Sequence, residues 1–225
     1  MKKLVFDSSS LISLSEKCFM KILGRLAEKQ KVEFFMPYSV MKETVEIPLK
    51  IKRFELNAIR IKTAIKNGWI KVIKPQNGTL ELSNRIMELS KGLCLAASKP
   101  LDIIHKGEIE ALALVKTMGA DALVIDERTT RMLLEEPRNL LKLFEYRTGK
   151  HMSFNERKLV EIQGLLSGTT IFRSSEIIAL GYEKDCFENE LENNKASLKA
   201  ALFSVKYAGC AISEVEITEY LKGIK

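Results

Sequence analysis

The chain has 225 residues, enough for one large domain or for one domain and a smaller appendage. Its 46% apolar fraction and four scattered cysteines, none in C-x-x-C spacing, exclude a disulfide-stapled scaffold and argue against a structural zinc site. Its 36 basic and 29 acidic residues give a net charge of +7, which suits nucleic-acid phosphates and an ordinary solvated surface equally well.

The apolar run after Lys2 and Lys3 is too short for a signal peptide, and no uninterrupted apolar stretch is long enough to cross a bilayer. A cytoplasmic protein with no membrane partner is the expectation.

In chain order, Lys3–Phe6 reads as a short buried strand that runs into Asp7. A helix is expected from Ser9 to about Lys29, with Leu11, Leu14, Cys18, Ile22 and Leu26 at helical spacing. Val32–Met36 is a second strand, stopped by Pro37. Tyr38–Ile47 opens a helix that Pro48 ends, and Ile51–Lys66 forms another. Asn67-Gly68 marks a turn before a strand at Trp69–Ile73. Leu80–Leu95 reads as helical.

Lys106-Gly107 precedes a strongly periodic helix, Glu108–Met118, which Gly119 caps. Ala122–Ile125 is a buried strand ending at Asp126-Glu127. A helix follows to about Glu136, and Leu140–Phe144 reads as a further strand. Residues 1–148 therefore form an α/β unit around a central parallel sheet. Residues 149–225 form a helical C-terminal segment, packed on that unit or appended to it. Helices are expected at Asn155–Leu166, Ser174–Leu180, Lys184–Leu191, Lys195–Tyr207 and Ser213–Leu221.

Asp7 and Asp126 share one grammar: a buried strand, a carboxylate at its C-terminal end, then a helix. In open α/β sheets, sites form at the carboxyl ends of strands, so two such carboxylates can meet. Glu108 lies within the apolar arc of Ala111, Leu112, Val115 and Met118, whereas Glu110 lies outside it. Glu43 flanks a second arc formed by Val40, Thr44 and Ile47. Taken alone, Asp7 and Asp126 read more readily as caps of the helices that follow them than as ligands, and Glu108 as a partner of its helix dipole. Four placed toward one edge favour a site, and a divalent cation would relieve their repulsion.

Other catalytic classes find little support. There is no G-x-S-x-G, no Walker loop and no recognisable triad histidine. An aspartyl-phosphate phosphatase needs a second acid two residues after the first, where this chain has Ser9.

The runs FDSSSLISL, PYSVMKETV and HKGEIEALALVKTMGADALVIDERTTRML resemble the PIN-domain ribonuclease family. The G-E-x-E-A segment at Gly107–Ala111 looks most like an uncharacterised archaeal and bacterial branch of it. The resemblance implies a Rossmann-like α/β/α sandwich and cleavage of single-stranded RNA with Mg²⁺ or Mn²⁺. It implies that Asp7, Glu43, Glu108 and Asp126 are the acidic set. Asp7, Glu108 and Asp126 would bind the cation, with Glu127 as the alternative to Asp126. Ser8, Ser9, Lys106 and Arg128 are the substrate-contact candidates. Many relatives are toxins, so an antitoxin or other protein partner, a homodimer, or a non-catalytic RNA-binding role stays open beside the enzyme.

Overall fold

In the computed structural model, residues 1–187 and 190–224 are described. Its centre is a five-stranded, wholly parallel sheet of order β3-β2-β1-β6-β8. The strands are β1 (Lys2–Phe6), β2 (Val32–Pro37), β3 (Ile70–Ile73), β6 (Ala122–Val124) and β8 (Ile171–Phe172). Both faces are buried, as continuous apolar strands require. Leu4 and Phe6 of β1 join one core with Phe34 and Met36, and Val5 points into the other with Phe35, Leu123 and Ile125.

On the first face lie α1 (Ser8–Glu16), α2 (Met20–Gln30), α4 (Glu55–Lys66), α10 (Ser174–Glu183), α11 (Lys195–Ala208) and α12 (Glu214–Gly223). On the second lie α5 (Asn77–Ser90), α6 (Lys106–Met118), α7 (Arg128–Glu135), α8 (Pro137–Thr148) and α9 (Glu156–Leu165). The expected α/β/α sandwich with a helical C-terminal segment is what the chain forms. The C-terminal segment supplies β8 and buries Ile177, Leu198, Val205 and Ile217 in the same core as β1. No helix among the described residues is long and apolar enough to cross a membrane.

Several local expectations are corrected. Leu140–Phe144 is not a strand but the middle of α8. Pro137 stands at its first helical position, where the missing N–H costs nothing, so it starts a helix there. The helix expected from Ser9 to Lys29 is two, because Cys18 takes a left-handed φ of 66° between α1 and α2. Leu80–Leu95 overshoots α5. After Ser90 the chain turns into β4 (Cys94–Ala96), which pairs antiparallel with β5 (Lys99–Leu101) and β7 (Met152–Phe154). Residues 184–187 are not helical, and residues 188 and 189 of that expected helix lie outside the described residues. The expected helix Tyr38–Ile47 is α3 (Tyr38–Met41), which widens into a π turn at Lys42–Glu46. A 3₁₀ turn at Pro48–Lys50 follows.

Candidate functional site

The strand order reverses between β1 and β6, and there the carboxyl ends of both strands meet. Phe6 pairs with Val124, and the Asp7 N–H donates to the Val124 carbonyl at 2.9 Å. Asp7 and the segment after Ile125 are therefore neighbours along the sheet edge.

Asp7 is 1% exposed and caps α1. Its Oδ2 accepts the Ser9 N–H at 3.0 Å and the Ser9 hydroxyl at 2.8 Å. Its Oδ1 is buried and has no hydrogen-bond partner. Burial raises the Asp7 pKa, and the charge of Glu127 raises it further. Asp7 thus spends one oxygen on the cap of α1 and leaves the other unspent.

Glu108 is 6% exposed, on the first turn of α6. Its Oε2 accepts the His105 N–H at 3.0 Å and the Thr130 hydroxyl at 2.8 Å. Burial is the main cause that lifts its pKa to about 7, with the charges of Asp7 and Glu127 adding to it. Glu110 of the same helix is less buried and lies 3.8 Å from the Lys106 ammonium.

Glu127 caps α7 through an Oε2 that accepts the Thr130 N–H at 2.7 Å. Thr130 thus holds Glu127 with its backbone and Glu108 with its side chain. Glu43 sits on the π turn, a helical irregularity common at functional sites. Its carboxylate lies so close to Gly107 that a Cβ there would fall 2.7 Å from Oε2. Glu43 is open to solvent, and the Ser8 side chain hydrogen-bonds it. Partial desolvation and then the charges of Asp7 and Glu110 raise its pKa.

Asp126 is 2% exposed, and both its oxygens are taken by Ser174 at the start of α10: the N–H donates to Oδ1 at 2.7 Å and the hydroxyl to Oδ2 at 2.8 Å. The charges of Asp7 and Glu127 act on Glu108, that of Glu127 acts on Asp7, and those of Asp7 and Glu110 act on Glu43, so Asp7, Glu43, Glu108 and Glu127 form one electrostatically linked set of four acids with Glu110 beside it.

Ser9 is fully engaged, because its hydroxyl donates to Asp7 and accepts the backbone N–H groups of Asp126 at 3.0 Å and Glu127 at 3.3 Å. Ser8 is half-buried. Lys106 opens α6 and Arg128 opens α7, both exposed. Sequence reasoning missed Thr130 and Ser174. Thr130 carried a faint signal, as a hydroxyl three residues after a capping acid; Ser174 carried none.

As placed, no three His, Cys, Asp or Glu side chains among the described residues form a ready cation cage. Two features still suit a hard cation: an unpartnered buried carboxylate oxygen, and a donor set made only of oxygens. None of the four acids makes an ion pair among the described residues.

Residues 3–137 match a family model described as DUF3368, a PIN domain. No curated protein and no solved structure gives a significant match.

Proposed function

Since the chain belongs to the PIN-domain family, whose members are generally nucleases, we propose that it is a metal-dependent endoribonuclease acting on single-stranded RNA. The observation that carries this reading is Asp7 Oδ1, a buried carboxylate oxygen with no partner beside Glu108 and Glu127. An unpaired buried carboxylate costs stability unless it serves a ligand.

The donor chemistry fits Mg²⁺ or Mn²⁺, held by Asp7, Glu108 and Glu127. When bound, such an ion lowers the pKa of water and neutralises charge on the phosphate. Asp126 takes the anchoring role, since Ser174 uses both its oxygens. Glu127 replaces it as the fourth acid.

In the proposed reaction a water attacks the phosphorus in line. Glu43, solvent-open and raised in pKa, takes the proton of that water. The bond from phosphorus to the leaving ribose oxygen breaks on the opposite side, and that oxygen takes up a proton from solvent to leave as the hydroxyl. Glu108, near pKa 7, must lose its proton before it can serve as a ligand, and Thr130 holds it in place. Lys106 and Arg128, exposed at the starts of α6 and α7, offset the backbone charge of the RNA.

The test is cleavage of end-labelled single-stranded RNA with Mn²⁺, repeated with Asp7→Asn and with EDTA. Cleavage abolished by both changes supports the reading, and cleavage that survives both sinks it. RNA binding without cleavage points instead to a regulatory RNA-binding protein on the same fold.

A further inference from the structure

A cleft of about 290 Å³ opens beside Glu43. Ile12 of α1 forms one wall, Ile47 and Ile51 a second, and Phe54 and Asn57 at the start of α4 the third. Ile12, Ile47, Ile51 and Phe54 are between 40% and 55% exposed. Four large apolar side chains held in water around one concavity mark a binding surface more than a solvated face.

Four further features define the occupant. Glu43 is among the residues that line the cleft, so whatever fills it lies against the acidic set. The chain beside its lining residues Ile51 and Phe54 is basic: Lys50, Lys52 and Arg53 are exposed, and neither Lys50 nor Arg53 makes an ion pair among the described residues. The Arg53 guanidinium stands 5.5 Å from the centre of the Phe54 ring, a cation and a π-surface side by side. Asn57 accepts a hydrogen bond from Arg60 on its carbonyl oxygen at 3.3 Å, which leaves its amide N–H groups for an acceptor inside the cleft.

We propose that this cleft receives one unstacked nucleobase of the RNA, next to the phosphate that is cut. The proposal rests on the nuclease reading above and specifies how its substrate is gripped. A π-face meets Phe54 and the isoleucines, the base edge meets the Asn57 amide, and the flanking phosphates meet Lys50 and Arg53. The volume suits one ring system, below the usual range for larger ligands. A protein helix would need a longer apolar groove without a carboxylate in its lining.

The experiment measures binding by the full chain carrying Asp7→Asn, so that RNA stays intact. The probes are a fluorescent mixed-sequence single-stranded RNA and an abasic oligonucleotide of the same length. Phe54→Ala is expected to weaken binding of the mixed-sequence RNA about tenfold, the scale of one base–aromatic stack, and to leave the abasic chain unchanged. Phe54→Trp, which keeps an aromatic face, should restore the loss. Equal binding by Phe54→Ala and its parent overturns the proposal, as does an equal loss with the abasic chain. Absence of RNA binding in the parent overturns it too. Cleavage by the unsubstituted protein is scored separately. Metal-dependent cleavage with a Phe54-independent grip defeats the cleft alone and leaves the nuclease reading standing.

Discussion

Ser174 closes on Asp126 with two hydrogen bonds, one from its backbone and one from its hydroxyl, across 48 residues of chain. The contact ties the end of β6, beside the acidic cluster, to the start of α10. Ser174→Ala removes the hydroxyl donor and leaves one oxygen of a buried carboxylate unpaired. The expected loss is about 1–3 kcal/mol of stability, read as a lower urea midpoint at constant slope. Metal-dependent cleavage should fall far less than with Asp7→Asn. A Ser174→Ala protein with full stability would mean that the Asp126 carboxylate is free.

Asp7→Asn separates chemistry from folding. The amide oxygen of Asn can still accept from Ser9, so the cap of α1 survives. The buried charge and its repulsion with Glu127 disappear. Activity should drop at least about a hundredfold, while the thermal midpoint stays level or rises. A large loss of stability would show that the cap, and not the unpaired oxygen, is what the carboxylate is for.

The sequence and the structure agree where one local signal decides. The strand ending at Asp7 reads as an apolar run meeting an acid, and Glu108 follows from helical phase within thirteen residues. They part where distant contacts decide. Asp126 and Glu127 are indistinguishable by local pattern. Only Ser174, brought alongside by β8, singles out Asp126 by donating to both of its oxygens. β8 itself is two residues long and carries no period. Leu140–Phe144 misleads because Leu140, Leu141, Leu143 and Phe144 read as a strand run, while Pro137 three residues earlier starts the helix. The placement of Glu43 depends on a π turn that no residue pattern announces.

Stability of the metal-free protein should fall as pH rises through neutrality. Glu108 has a folded pKa of about 7 against an ordinary 4.5, so the folded state holds its proton more tightly than the unfolded state. The stabilisation is complete below pH 4.5 and is lost as pH climbs through about 7. The folded state meanwhile carries a buried negative charge. The loss is at most about 3.5 kcal/mol, at roughly 1.4 kcal/mol for each pH step between 4.5 and about 7. Glu108→Gln should flatten that slope and leave the protein more stable at pH 8. Mn²⁺ should raise the thermal midpoint more at pH 8 than at pH 6, since cation binding must displace the proton. Identical pH profiles for parent and Glu108→Gln would refute the assignment.

Gly107 tests the position of Glu43 without touching any acid. A Cβ at residue 107 would lie 2.7 Å from Glu43 Oε2 and 3.0 Å from Oε1, closer than atoms in contact allow. The obstructing group is the tip of a solvent-open side chain, so it can swing away at little energetic cost. Alanine also suits a helix better than glycine, which offsets the crowding. Gly107→Ala should therefore fold with nearly unchanged stability. If Glu43 takes the proton of the attacking water, its displacement should lower kcat about tenfold to a hundredfold and leave RNA affinity close to the parent's. A fully active Gly107→Ala enzyme would remove Glu43 from the mechanism, and a loss confined to RNA affinity would make it a substrate contact instead.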